Sequence, residues 1–136
     1  MRQQPAISII LSGLLLCSGL LTGCHQTAAP TTEEQVAKAQ ADAQREIEQA
    51  RSEARKDVKN AMKQAGPGSR NASMARVTGS FDVAMANADG THKVAIEKCL
   101  LLEPAAQQPC RDQADAQYQA AAASAKAARG SKLQGE

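Results

Sequence analysis

Cys17, Cys24, Cys99 and Cys110, with His25 and His92, are the residues of this 136-residue chain best suited to covalent or metal chemistry. Thiolates and imidazoles can bind a metal, exchange disulfides or accept a covalent modification. Spacing narrows that choice. A zinc site drawn from His92, Cys99 and Cys110 wants a fourth ligand, and the spacing matches no common zinc pattern. A redox pair is expected to show Cys-x-x-Cys, which the chain lacks. No Ser/His/Asp set stands out, nor paired acids beside a pocket-forming aromatic, nor a glycine-rich phosphate loop. The expectation is therefore no catalytic residue, no metal, no cofactor and no small-molecule substrate: a protein that is not an enzyme.

Cys24 stands in a different context. Met1 to Pro5 is polar with one positive charge, and an apolar run follows from Ala6 to Leu21. That run is short and rich in small residues for a membrane span, which needs about 20 mostly apolar residues. It fits the apolar region of a secretory signal. It ends in Leu21-Thr22-Gly23-Cys24, which resembles the lipobox of bacterial prolipoproteins. Thr22 and Gly23 supply the small residues that cleavage requires, and Leu21 fills the branched position. Cys17, preceded by Leu14-Leu15-Leu16, has no such small residue and is discarded with the signal. The resemblance implies removal of residues 1–23 and two or three acyl chains, palmitate among them, on Cys24. One chain alone gives only marginal membrane binding. His25 stands where an aspartate would favour inner-membrane retention, so the expected location is the outer membrane, facing the periplasm.

That compartment is oxidising, and Cys99 and Cys110 remain after processing. Cys99 falls near the end of one helical segment and Cys110 at the start of the next. An αα-hairpin sets such positions across from each other, within disulfide reach. A Cys99–Cys110 bond closing so short a loop is expected to contribute about 3 kcal/mol.

Composition limits what can fold around it. The formal charge of +2 falls by one when Arg2 leaves with the signal, and no Lys/Arg block stands out, which argues against nucleic acid as a partner. Beyond residue 23 the large apolar side chains are sparse, with one Phe, one Tyr and no Trp. Ordering each residue costs about 1–2 kcal/mol of backbone entropy, which so few side chains cannot offset in a rounded globule. Alanine, abundant throughout, favours helices. The expected fold is all-α: an elongated helix plus a disulfide-linked αα-hairpin, held on a flexible linker.

Residues 24–32 read as the lipidated tether, and Thr32 as an N-cap before Glu33 and Glu34. Residues 33–65 form a long Ala-rich helix with an eleven-residue repeat: Val36, Ile47 and Val58; Ala39, Ala50 and Ala61; Ala43, Ala54 and Ala65. An 11-residue period gives about 3.67 residues per turn, hence a nearly straight stripe. It resembles, in pattern alone, the stalk helices of rotary ATP synthase peripheral subunits. Such a stripe either packs on the chain's own C-terminal half or offers itself to a partner. Gly66-Pro67-Gly68-Ser69 breaks the helix. Residues 70–129 form the hairpin, with an interruption expected at Asp89-Gly90-Thr91, a loop over 103–108, and Pro109 opening the last helix. Gly130 ends it, and 130–136 is a disordered tail.

Phe81 to Ala84, His92 to Cys99 and Cys110 to Asp112 are similar to small, Ala-rich envelope proteins of proteobacteria. These carry a Lys-Cys, a short loop and a second Cys opening a Lys/Ala-rich helix. The resemblance implies a periplasmic helical hairpin and no activity; Leu100-Leu101-Leu102 departs from the usual polar loop and reads as a contact surface. The expected function is a membrane-anchored envelope lipoprotein with a structural or adaptor role. Its partners are the membrane and, through the Val36/Ile47/Val58 stripe or the leucine run, a helical protein or a second copy. The alternative is a non-covalent peptidoglycan linker. Murein lipoprotein ends in the lysine that joins it to the cell wall, whereas this chain ends Lys132-Leu133-Gln134-Gly135-Glu136.

Overall fold

Three helices account for nearly all of the computed structural model, which describes residues 32–134. They are α1 (Thr32–Ala65), α2 (Arg70–Cys99) and α3 (Pro104–Gln134). The expectations for the signal at 1–23, for Cys24 and the tether, and for the last two residues lie outside the described residues. The all-α class holds, and Cys99 is bonded to Cys110.

Helix α1 is alanine and charge, with Glu33 and Glu34 in its first turn and Lys63 in its last, each placed to suit the helix dipole. Its stripe is one-sided. Val36, Ala43 and Ile47 are buried, while the opposite face is solvated. The helix stops where Gly66 takes φ +89°, a conformation glycine adopts without a Cβ penalty. Ser69 closes the turn from the other side. Its hydroxyl donates to Gly66 O (2.8 Å) and accepts from Ala72 N (3.2 Å), capping α2 while holding the end of α1.

Helix α2 is the centre of the molecule. It packs against α1 on one side and α3 on the other, while α1 and α3 do not pack on each other. The result is an open array of three antiparallel helices in chain order, a plank rather than a closed bundle. This explains why α2 is small-residue on two faces: Gly79 and Gly90 lie toward α1, and Ala88 and Cys99 toward α3. A Cβ on Gly79 would sit 2.6 Å from Ala54 Cβ, and one on Gly90 would sit 2.9 Å from Ala43 Cβ. Both pairs are eleven residues apart on both helices, so the period of α1 is matched on its neighbour. Lys93 adds a two-oxygen ion pair to Glu46 across the same seam, 2.7 and 2.8 Å.

The α2–α3 seam follows the same step. Arg129 stacks over the Phe81 ring at 4.9 Å, and eleven residues along each helix His92 meets Tyr118, ring centroids 5.1 Å apart. Cys99–Cys110 closes the far end, with Cα atoms 5.6 Å apart. Among the described residues Cys99 is the largest side chain that is fully buried. The disulfide therefore occupies the place that a large apolar side chain takes in an ordinary core.

Several boundaries differ from expectation. Asp89-Gly90-Thr91 does not interrupt α2, because Gly90 serves close packing against Ala43 and not a turn. The loop expected over 103–108 shrinks to 100–103. Pro104 opens α3, and Pro109 lies inside it as the sixth residue, past the first donors that lack intrahelical partners, so α3 goes without the backbone bond to Ala105 O there. Gly130 does not end α3; Ser131 to Gln134 continue it, with the Ser131 hydroxyl donating to Ala128 O at 3.1 Å. The tail expected over 130–136 is helical as far as Gln134.

Candidate functional site

Three groups of side chains stand apart from ordinary helix packing. The first is the disulfide end. After Cys99 the chain descends in three tight turns, with Leu100, Leu101 and Leu102 N–H donating to Glu97, Lys98 and Cys99 O at 3.1–3.2 Å. Backbone satisfied in this way leaves the leucine side chains pointing out. Leu100, Leu101 and Leu102 are 36, 51 and 44% exposed, the densest run of exposed large apolar residues among those described. Gln107 Nε2 donates to Leu102 O at 3.0 Å and steadies the turn from α3. The sequence brings Cys99, Cys110 and the leucines to one end, and the structure puts them there together.

The second group lies midway along the α2–α3 seam. His92 Nε2–H donates to Asp115 Oδ1 at 2.6 Å, and the Tyr118 phenol donates to the Asp89 carboxylate. That hydrogen bond raises the Tyr118 pKa above the usual phenol value, with the charge of Asp89 adding to the effect. The groove around them is walled by alanines such as Ala84, Ala88 and Ala121. A His–Asp pair does acid–base work on a nucleophile; here Tyr118 is turned to Asp89, and Cys99 and Cys110 are bonded to each other. What the arrangement can do is fix register: two polar pairs, one turn apart, meet in one alignment of α2 and α3. Sequence reasoning weighed His92 as a metal ligand and did not place it on a helix seam. The signal that would have found it is its eleven-residue distance from Phe81, matched by Tyr118 and Arg129.

The third group is a groove of about 610 Å³ at the other end, between the last turns of α1 and the first of α2. Val58, Met62 and Pro67 form its apolar floor, with Arg55, Lys59, Lys63 and Arg76 around it. Arg76 is held by Pro67 O at 3.2 Å. This groove takes in the last residue of the stripe expected to reach a partner. Val36 and Ile47 are buried, so only Val58, half-buried, remains accessible.

Among the described residues no group of three or more His, Cys, Asp or Glu is arranged to hold a metal ion, and no helix is long and apolar enough to cross a membrane. Cys24, the residue assigned to lipid modification, lies outside them. No protein-family model matches the chain, and neither a curated protein nor a solved structure matches it.

Proposed function

We propose that this chain is a lipid-anchored envelope lipoprotein whose mature part is a structural or adaptor element acting through helix contacts. The observation that carries the proposal is Leu21-Thr22-Gly23-Cys24 placed directly after the apolar run 6–21. In this reading Cys24 receives the lipid, residues 1–23 are removed, and the protein resides at the outer membrane facing the periplasm. The Cys99–Cys110 bond supports it, because disulfides persist in oxidising compartments. The plank supports the adaptor role: a straight body with two outer helices, each left with a solvated face for a partner. Partner contact then falls on the outer faces of α1 and α3 or on the leucine turn, since Val36 and Ile47 serve the α1–α2 seam.

Fractionation of cells carrying Cys24→Ala tests the assignment. The variant is expected to leave the membrane fraction or to accumulate at precursor mass, and to lose incorporation of labelled palmitate. Processing and fractionation unchanged from the native chain would remove the proposal.

A further inference from the structure

The geometry points to the leucine turn, Leu100-Leu101-Leu102, as a second membrane contact that inserts into the bilayer beside the lipid anchor; the inference rests on the lipoprotein reading. It follows from the register of α1 against α2. Ala54 faces Gly79, and eleven residues toward the N-terminus Ala43 faces Gly90. One further step of eleven brings Thr32 level with Leu101. The start of α1 and the exposed leucines therefore share one end of the plank. Between Cys24 and Thr32 there are eight residue steps, which fully extended span at most about 28 Å. A lipid on Cys24 thus holds this end near the bilayer. The opposite end lies farther along a helix of 34 residues, about 51 Å at 1.5 Å per residue.

Chemistry at the turn fits lipid. The leucines project from a turn whose N–H groups are already bonded to the preceding helix, so insertion exposes no unpaired donor there to hydrocarbon. At this end the acidic Glu33, Glu34, Glu97, Glu103 and Asp112 outnumber the basic Lys38, Lys98 and Arg111, which favours a zwitterionic surface over an anionic one. At the other end Arg55, Lys59, Lys63 and Arg76 gather around one groove. The commitment is therefore to a neutral phospholipid bilayer as occupant, with the plank standing off it by its disulfide end.

The chain contains no tryptophan, so a single introduced one reports its own surroundings. Full-length lipidated protein carrying Leu101→Trp, and separately Gln64→Trp at the exposed far end of α1, is reconstituted into phosphatidylcholine vesicles with brominated acyl chains. Leu101→Trp is expected to shift its emission to the blue and lose most of its intensity, while Gln64→Trp stays unshifted and bright. Unquenched Leu101→Trp in protein that still floats with the vesicles would overturn the membrane contact and leave the anchor standing. Quenching of Gln64→Trp alone would put the basic end on the lipid and overturn it also. A blue shift without vesicles, unaffected by brominated lipid, would place a second copy on the turn and overturn it in favour of self-association. Protein that does not float at all would defeat the lipoprotein reading and the contact together.

Discussion

Glycine means three different things in this chain, and substitution separates them. At Gly79 an added Cβ would lie 2.6 Å from Ala54 Cβ and 3.1 Å from its Cα, so backbone must move. Overpacking of that kind costs about 1–3 kcal/mol. The helix-propensity gain of alanine over glycine offsets up to about 1 kcal/mol. Gly79→Ala is expected to lower the Tm in circular-dichroism melts, and Ala54→Gly in the same chain to restore part of it. Gly130 has nothing within 4 Å of an added Cβ and lies within a helix, so Gly130→Ala is expected to stabilise by about 0.5–1 kcal/mol. Gly66, at φ +89°, belongs to the turn, where Gly66→Ala meets no neighbour but is strained by the backbone conformation. Tyr118, the one tyrosine, offers a second measurement. Its phenol donates to Asp89, so its pKa is raised. A raised folded-state pKa means the contribution is complete below about pH 10, the unfolded value, and is lost as pH climbs through the folded one. Ultraviolet titration is expected to show tyrosinate forming at higher pH than in free tyrosine, and Asp89→Asn to bring it back down.

Among the elements, α3 is the one held least broadly. Its neighbour is α2 alone, and the two are joined by the disulfide at one end, the His92 and Tyr118 pairs in the middle and Arg129 over Phe81 at the other. Its buried residues are Ala114, Ala122 and Ala125, which remove little apolar surface from water. Reduction, or Cys99→Ser with Cys110→Ser, is therefore expected to cost about 2–4 kcal/mol. Amide exchange is the measurement, and the loss is expected to be local. Protection over 104–134 should fall, while the α1–α2 seam, with its glycine contacts and the Lys93–Glu46 pair, keeps its own. Uniform loss across all three helices would show instead that the plank unfolds as one unit.

The whole molecule has a shape that its composition requires. A compact domain of about 100 residues has a radius of gyration of about 13 Å. Three helices side by side, of 34, 30 and 31 residues, with the outer two apart, extend to about 51 Å along the longest. Small-angle scattering of residues 25–136 is expected to give a value clearly above that of the compact domain. Agreement with it would mean that α3 folds over onto α1. The charge of the plank is uneven as well, with Arg55, Lys59, Lys63 and Arg76 at the end away from the leucine turn. Under the proposed lipoprotein reading, that basic end faces away from the membrane.

Much of this was legible in the amino-acid sequence because the causes are local. Alanine content and the scarcity of large side chains decided for helices, Gly66 to Ser69 for a break, and two cysteines at adjoining helix ends for their bond. The eleven-residue step of α1 was visible for the same reason: a period needs only its own helix. What lay beyond one helix was decided by packing. Gly90 has the residue type of a breaker and became a contact, because Ala43 approaches it too closely for any side chain. Pro109 has the type of a first turn, yet α3 starts at Pro104. His92 was read as a candidate metal ligand, and its seam role came only with Asp115 and Tyr118 from another helix. The stripe on α1 left open whether it met a partner or its own chain, since a stripe records only that something covers it. Tertiary structure alone answered, by setting α2 on it and bringing the exposed leucines to the end where α1 begins.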